Sequence, residues 1–264
     1  MASIFAGTTV LITGASRGIG AAFAAELAGR GARLVLVARD AERLAAVAES
    51  ARAAGAAVEM VRLDLTGEGA VAGLVDELAG RGITVDHLIN NAGIGLVGRG
   101  DEADLSAQLR VLDLDVRVVT ELALRLLPGM VARRRGGILN VASLGAFQGL
   151  PWLSTYGGSK AYVLGWSEAL HVELRGTGVR CCALCPGPVA TGWFATAHVE
   201  RPPGWPLIQP AAVVARAGLR GYERNQSHVF PGFAARGAAW LTRTVPRALA
   251  ARVATGFAKP RRHK

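Results

Sequence analysis

The sequence predicts an α/β fold built on a single doubly wound parallel sheet with helices on both faces. Short runs that are apolar at nearly every position alternate with alanine-rich helical stretches over most of the chain. Strands of this kind are buried on both faces, as in parallel sheets. The 264 residues are 51% apolar and 19% charged, which is typical of a globular protein. With no linker or internal repeat, we expect one domain over residues 1–264.

The predicted strands are short apolar or β-branched runs: Thr8–Thr13, Arg33–Ala38, Val58–Leu63, Val85–Asn90, Gly137–Ala142, Val179–Leu184 and a last short run at His228–Phe230. The helical stretches between them are Ile19–Arg30, the helix capped by Asp40 that extends to about Ala54, Ala70–Ala79, Leu105–Leu127, Thr155–Arg175 and Ala211–Tyr222. We expect the fourth of these helices to end before Pro128. In such sheets, ligands bind beyond the carboxyl ends of the strands, near the reversal in strand order.

Two segments near the C-terminus interrupt the alternation. Residues 188–210 are rich in proline and contain Trp193 and Trp205, which predicts a long lid loop over the site. Residues 234–258 carry an apolar stripe with arginines opposite and predict a C-terminal helical extension. We expect that stripe to face the core or another subunit, with a membrane surface as the less favoured alternative.

The net charge of +10 raises the question of a nucleic-acid partner. The arginines are scattered, and basic residues cluster only at Arg133–Arg135 and Lys259–Lys264. Because long basic runs are missing, we expect no nucleic-acid binding. No apolar run reaches the length of a membrane span, and residues 1–9 do not resemble a secretory signal. We therefore expect a cytoplasmic protein.

The cysteines and histidines carry no predicted chemistry. Cys181, Cys182 and Cys185 share one apolar strand-like run, which fits buried thiols in a reducing compartment rather than disulfides or a redox pair. The five histidines lack the spacing of a metal site. We expect no metal.

The segment TGASRGIG, residues 13–20, lies between the first predicted strand and helix. Its glycines allow a tight turn and a close approach of the backbone to a pyrophosphate at the helix N-terminus. The spacing is G-x-x-x-G-x-G instead of G-x-G-x-x-G. We expect a dinucleotide site here and a sheet of the Rossmann type.

The residue that follows the second strand indicates the cofactor. NAD-binding sites usually place an acidic residue there, to hold the ribose 2′-hydroxyl. This chain has Arg39, and Arg17 in the glycine turn could reach the same place. A guanidinium fork suits a 2′-phosphate, so we expect NADP(H) rather than NAD(H). The alternative is that Arg39 is an ordinary exposed residue.

Five motifs occur together in one order and spacing: TGASRGIG, NNAG at Asn90–Gly93, Ser143, YGGSK at Tyr156–Lys160, and Pro186-Gly187 followed by Thr191. With this set, the sequence resembles the classical short-chain dehydrogenase/reductase family. The resemblance is strong over about residues 5–192 and loose beyond them. Tyr-x-x-x-Lys alone often occurs by chance, whereas the full set in register does not.

The resemblance implies a role for each matching residue. Tyr156 would be the general acid/base, Lys160 would hold the nicotinamide ribose and lower the tyrosine pKa, and Ser143 would polarise the substrate carbonyl. The implied cofactor contacts are Gly14, Gly18, Ile19, Gly20, Asp64, Leu65, Asn91, Ala92, Gly93, Tyr156, Lys160, Pro186, Gly187, Val189 and Thr191. Beside them we expect Ser16 and Arg17 of the glycine turn and Arg39 after the second strand to contact the cofactor.

The chemistry of the residues agrees with these roles. Residues four apart on a helix share a face, so Tyr156 and Lys160 point the same way. A phenol of pKa near 10 exchanges protons poorly at neutral pH. A neighbouring ammonium could lower the pKa of Tyr156, and a drop of ~3 units corresponds to ~4 kcal/mol.

One position departs from the family pattern. The family usually carries an asparagine thirteen residues before Pro128, where it anchors a water that links the lysine to bulk solvent. Here the residue is Asp115, or Asp113 if the alignment is shifted by two. A carboxylate beside Lys160 would raise the lysine pKa and weaken its effect on Tyr156. Asp115 could still bind that water, but only as an acceptor when it is ionised. It is therefore a candidate catalytic residue, and its carboxylate would alter the proton relay and shift the pH optimum.

Apolar residues surround the expected substrate site, namely Gly145, Phe147, Leu153 and Trp193. They favour a small hydrophobic ketone or secondary alcohol that is steroid-like, aryl or acyl. We therefore expect an NADP(H)-dependent oxidoreductase. The alternatives are a 3-oxoacyl-thioester reductase and a non-catalytic NADP-sensing protein. The resemblance also implies a homodimer or homotetramer formed through the helices that hold Asp115 and Tyr156.

Overall fold

The computed structural model describes residues 3–197, 208–232, 237 and 245–256. They form one seven-stranded parallel sheet in the order β3-β2-β1-β4-β5-β6-β7. The strands are β1 Thr9–Thr13, β2 Arg33–Ala38, β3 Val58–Arg62, β4 His87–Asn90, β5 Gly137–Val141, β6 Arg180–Leu184 and β7 His228–Val229. The predicted fold class is confirmed, and every predicted strand end lies within two residues of its observed position.

The helices are α1 Gly18–Ala28, α2 Ala41–Ala53, α3 Ala70–Gly80, α4 Leu105–Leu112, α5 Val119–Ala132, α6 Ser154–Glu173, α7 Trp193–Thr196, α8 Ala211–Glu223 and α9 Arg247–Val253. A π-helical segment, Asp113–Val118, joins α4 to α5. Short 3-10 turns follow β5 at Leu144–Phe147 and α9 at Ala254–Gly256. As predicted, Asp40 caps α2, and its carboxylate accepts a hydrogen bond from the Arg43 amide.

The prediction that the fourth helix ends before Pro128 is wrong. Helix α5 continues through Pro128 to Ala132. A proline inside a helix removes one backbone hydrogen bond. The turn beyond it is retained because Met130 is fully buried in the core, so packing overrides the local preference.

Each face of the sheet has its own apolar core. On one face, α1, α2 and α8 pack through side chains that include Phe23, Leu44 and Leu219. On the other face, α3, α5 and α6 pack through side chains that include Leu74 and Leu122. Helices therefore cover both faces of the sheet, which explains why the strands are apolar at successive positions.

The carboxyl ends of the strands all meet at one edge of the sheet, because the strands are parallel. The order reverses between β1 and β4, which lie side by side. A crevice forms at such a reversal, since the chain leaves the two strands in opposite directions. The predicted site residues follow these strands and are thereby brought together.

The two C-terminal segments are described in part. Of the predicted lid loop, residues 198–207 lie outside the described residues, and these include Trp205. Of the predicted extension at 234–258, the structure describes α9 and the turn that follows it, together with residue 237. Within the described part of the chain, every helix is too short or too polar to cross a bilayer.

A buried histidine lies at the start of β4, where the amino ends of the strands meet. Its Nδ1 is 2.7 Å from the Tyr222 hydroxyl, and its ring packs edge-on against Phe5. Burial lowers the pKa of His87 from 6.5 to about 4. The folded protein therefore favours the neutral form of His87, so its stability depends on pH.

We predict that the free energy of unfolding falls by about 3 kcal/mol as the pH drops from 6.5 toward 4, because His87 then takes up a proton more readily in the unfolded chain. His87→Gln keeps an acceptor for Tyr222 but cannot be protonated, so it should remove this dependence. Urea unfolding at a series of pH values tests this, with His171→Gln as the matched control. An unchanged pH dependence in His87→Gln would contradict the assignment.

Candidate active site

The turn after β1 is built for close approach of the backbone. A Cβ on Gly14 would stand 2.8 Å from the Cα of Ala92, and Gly14 has a φ of +64°. A Cβ on Gly20 would stand 2.6 Å from the Nδ2 of Asn91. Side chains at both positions are therefore excluded, which leaves an open cradle of backbone amides at the N-terminus of α1.

The turns after β1 and β4 are bonded to each other. The Thr13 hydroxyl accepts hydrogen bonds from the amides of Asn91 and Ala92, each at 3.0 Å. In return, the Asn91 side chain donates to the carbonyl oxygens of Thr13 and Gly14, at 2.9 and 3.1 Å. These bonds hold the two turns in one fixed arrangement across the strand reversal.

The turn after β2 presents Arg39, which is about half exposed. Its guanidinium lies 3.6 Å from the Asp64 carboxylate after β3. Arg110 of α4 reaches the same carboxylate oxygen at 3.2 Å. Arg17 lies farther along the cavity, 3.4 Å from the Thr196 hydroxyl. Arg39 and Arg17 therefore lie at separate places on the rim of the cavity.

One cavity of about 830 Å³ occupies this edge of the sheet. It is lined by all the predicted cofactor contacts except Gly20: Gly14, Ser16, Arg17, Gly18, Ile19, Arg39, Asp64, Leu65, Asn91, Ala92, Gly93, Tyr156, Lys160, Pro186, Gly187, Val189 and Thr191. Gly20 stands behind the turn. Such an elongated cavity across a strand reversal is the usual place for a dinucleotide.

The predicted substrate residues divide into two groups. Gly145, Leu153 and Trp193 line the cavity, and the Trp193 ring lies 5.0 Å from the ring of Tyr156. Phe147 does not line the cavity, and its ring packs against that of Phe230 with 5.2 Å between the ring centres. The 3-10 turn at Leu144–Phe147 accounts for this, because it directs Phe147 away from the cavity.

Residues outside the predicted site set also line the cavity. They include Ile94, Leu114, Gln148, Leu150, Pro151, Val245, Ala250 and Ala254. The last three come from α9 and its flanks, which therefore border the cavity. Gln148 adds a side-chain amide to the wall. The contribution of the α9 residues could not be predicted, because nothing in the sequence relates the C-terminal segment to the turn after β5.

Helix α6 carries Tyr156 and Lys160 on one face, as the spacing predicts. Both line the cavity with Ser143, which follows β5. The Lys160 ammonium lies 5.7 Å from the centre of the Tyr156 ring. The Ser143 hydroxyl accepts a hydrogen bond from the Gly145 amide at 3.0 Å, which fixes its oxygen at the cavity wall. The arrangement places a phenol and a hydroxyl where they could act on one oxygen atom of a ligand.

Lys160 is held from behind by a buried carboxylate. Its ammonium lies 3.0 Å from Oδ2 of Asp115 and donates to the Val141 carbonyl at 3.1 Å. The second carboxylate oxygen of Asp115 accepts the Ile94 amide at 2.9 Å. Asp115 lies in the π-helical segment, and such segments often occur at functional sites. Asp113 is instead half-exposed and paired with Arg117, so Asp115 is the residue beside Lys160.

The pKa shifts follow from burial and from these neighbours. Burial raises the pKa of the Asp115 carboxyl, and Lys160 opposes that effect. Burial lowers the pKa of Lys160, but Asp115 and Tyr156 together more than compensate, so that pKa is raised. Burial and Asp115 raise the pKa of Tyr156, against the opposing effects of Lys160 and Ser143. In the protein without cofactor, the pKa of Tyr156 is therefore raised and not lowered as expected.

Other chemistry finds little support in the described residues. Cys181, Cys182 and Cys185 are buried and unpaired, and burial raises the pKa of Cys181 to about 12. These thiols are therefore poor nucleophiles. No group of three or more potential metal ligands occurs in the parts of the chain that the structure describes.

Comparison with known proteins places this site in a family. The family model for short chain dehydrogenases matches residues 8–201. A ketoacyl reductase named HetN, from a Nostoc species, is 36% identical over 224 residues, which cover 84% of this chain and 78% of HetN.

Two solved structures share the fold over nearly the whole chain. A short-chain dehydrogenase from Sphingobium yanoikuyae in complex with NADPH has a TM-score of 0.80 and 32% identity, covering 97% of this chain and 98% of its own. An alcohol dehydrogenase from Comamonas testosteroni, described as specific for bulky-bulky ketones, has a TM-score of 0.76 and 28% identity, covering 97% and 96%. With the matched motifs and this geometry, the chain belongs to the short-chain dehydrogenase family of NAD(P)-dependent oxidoreductases.

Proposed function

We propose that the protein is an NADP(H)-dependent reductase of hydrophobic ketones, with the corresponding secondary alcohols as its products. The observation that carries this proposal is a single cavity in which a dinucleotide cradle, the Ser143–Tyr156 pair and an apolar wall adjoin. The Sphingobium relative was solved with NADPH, and the Comamonas relative is described as acting on bulky ketones. Both support the proposal.

The residues present fit a nicotinamide dinucleotide. The cradle at Gly14 and Gly20 has the close backbone approach that a pyrophosphate needs. Arg39 stands at the ribose end of the cavity and offers two parallel N–H donors to a 2′-phosphate. Lys160 uses two of its three N–H donors on Asp115 and Val141, which leaves one for a ribose hydroxyl. A bound nicotinamide would supply the hydride.

The protein's own contribution is to the oxygen of the carbonyl. Negative charge develops there as the carbonyl carbon is reduced, and fixed donors stabilise it. Ser143 would orient and polarise that oxygen, and Tyr156 would deliver a proton to it from its hydroxyl. The apolar wall excludes water and strengthens both interactions. Leu150, Leu153 and Trp193 would bind the flanking groups of the ketone.

A 3-oxoacyl-thioester reductase is the second candidate function. HetN carries the name ketoacyl reductase, and Gln148 places an amide in the substrate half of the cavity, where it could bond to a second carbonyl. The side-chain amide of Gln148 has no bonding partner among the described residues.

A reducing cytoplasmic location also remains our proposal, supported by the three unpaired cysteines.

We predict that the wild-type protein consumes NADPH with bulky aryl and steroid-like ketones, and that Tyr156→Phe lowers kcat by about 10² to 10⁴ without loss of NADPH binding. The expected loss follows because phenylalanine cannot donate the proton. The measurement is a ketone panel with NADPH and NADH, which also includes a 3-oxoacyl thioester. Tyr162→Phe, on the same helix, is the control. NADPH binding without turnover of any panel member would instead support the non-catalytic alternative.

We predict that Arg39→Ala raises the KM for NADPH about tenfold or more and leaves the KM for NADH nearly unchanged, because a charge-assisted bond to the 2′-phosphate is lost. Steady-state kinetics with both cofactors measure this. Arg43→Ala, an exposed arginine on α2, controls for the change in net charge. Equal effects on both cofactors would contradict the proposed NADP(H) preference.

We also propose self-association through α4, α5 and α6. Among the described residues, six of the nine exposed large apolar side chains lie on these helices: Leu105, Leu109, Leu112, Leu124, Tyr162 and Val172. We call this set the apolar helix surface. The leucines of α4 recur at positions 105, 109 and 112, so they share one helix face. Exposed apolar side chains grouped on neighbouring helices are typical of a protein–protein interface.

We predict that the wild-type chain is a homodimer or homotetramer of its 27.4 kDa subunit and that Leu109→Arg yields monomers, because a charge would then be buried at the contact. Light scattering after gel filtration gives the mass. Met60→Arg, on β3 and away from the apolar helix surface, should leave the assembly intact. A wild-type monomer, or an assembly that Leu109→Arg does not alter, would refute the proposed interface.

A further inference from the structure

We propose that Asp115 is a positioning residue that holds Lys160 in a buried ion pair and thereby keeps Tyr156 protonated, which adapts this site to carbonyl reduction. The inference rests on the proposed function, because it concerns the proton that Tyr156 would donate. It goes further by assigning a role to the carboxylate and by predicting how each reaction direction depends on pH.

The ion pair is almost completely shielded from solvent, and only Lys160 reaches the cavity. The Asp115 side chain is 0% exposed and that of Lys160 is 6% exposed. The carboxylate is fixed on both sides, since Oδ1 accepts the Ile94 amide and Oδ2 meets the ammonium. A Cβ on Gly93 would stand 3.1 Å from Nζ of Lys160 and 3.2 Å from Oδ1 of Asp115. Because Gly93 has no side chain, there is space for Lys160 and Asp115 to pack against its backbone.

The π-helical segment brings the carboxylate into this position. A π turn adds one residue to the helical circuit and re-aims the side chains that follow. It places Asp115 inside, against Lys160, while Asp113 remains at the surface beside Arg117. Two carboxylates two residues apart thus have opposite environments, which makes them a natural pair for comparison.

The charges of Lys160 and Asp115 explain the effect of this pair on Tyr156. With the phenol protonated, the ammonium of Lys160 and the carboxylate of Asp115 cancel. In the protein without cofactor, a phenolate would add a buried negative charge that no further cation among the described residues around Tyr156 offsets, and uncompensated buried charge is costly. In the described residues, the groups that face Tyr156 are Lys160, Asp115, the Ser143 hydroxyl and the Trp193 ring. The protonated phenol is therefore the favoured state.

A neutral asparagine at position 115 would reverse the balance. The ammonium of Lys160 would then lack a partner, and a phenolate could neutralise it. The pKa directions agree with this charge count, because burial and Asp115 raise the pKa of Tyr156 while Lys160 lowers it. The Asp115 carboxylate thus neutralises the positive charge of Lys160, which would otherwise stabilise the phenolate of Tyr156.

The consequence differs between the two directions of reaction. Reduction uses the protonated phenol as donor, so its rate should persist into alkaline solution. Oxidation needs the phenolate as acceptor, so its rate should rise only at alkaline pH. The overall equilibrium between ketone and alcohol is unaffected. Asp115 sets the pH range in which the enzyme accelerates each direction.

The test compares Asp115→Asn with the matched variant Asp113→Asn in pH profiles of kcat/KM for ketone reduction and alcohol oxidation. We expect Asp115→Asn to move both profiles to lower pH by about one unit or more, and Asp113→Asn to leave them in place. A uniform loss of activity with unshifted profiles would show a merely structural role and overturn the proposal. No turnover by the wild-type protein would instead refute the proposed function.

A second measurement needs neither turnover nor a folded Asp115 variant. Phenolate absorbance is titrated in the wild type and in Tyr156→Phe, and their difference isolates Tyr156 among the three tyrosines. We expect no Tyr156 phenolate in the wild type below about pH 9. A phenolate signal already below about pH 8 would overturn the proposal, because Asp115 would not then keep the phenol protonated.

Discussion

The site depends on the parallel arrangement of the strands, which places six strand-to-helix turns at one edge of the sheet. Reciprocal hydrogen bonds link the turns after β1 and β4 across that edge, and in them Thr13 and Asn91 each bond to the other turn. These bonds fix the glycine cradle relative to the strand that precedes Gly93. The buried ion pair of Lys160 and Asp115 then joins α6 to the same region.

Much of this arrangement follows from local chemistry. An apolar run such as Arg33–Ala38 is typical of a strand buried on both faces, and the glycines after Thr13 favour a tight turn before a helix. The spacing of Tyr156 and Lys160 places both on one helix face. Sequence reasoning therefore predicted the sheet, the position of the cavity and most of its lining.

The remaining features depend on packing between distant segments. Pro128 lies inside α5 because the buried Met130 beyond it stabilises the continued helix. The π turn that directs Asp115 inward has no simple residue signature. Phe147 packs against Phe230, more than eighty residues away in sequence, instead of lining the cavity. Gln148 and the residues of α9 meet at the cavity only through tertiary contact.

We propose above all that this chain transfers hydride from NADPH to a hydrophobic ketone. The most direct measurement incubates the protein with NADPH carrying deuterium at both C4 positions and a bulky ketone, followed by mass spectrometry of the product. We expect an alcohol with one deuterium on its carbinol carbon. Alcohol formed without the label, or no alcohol despite bound NADPH, would contradict it.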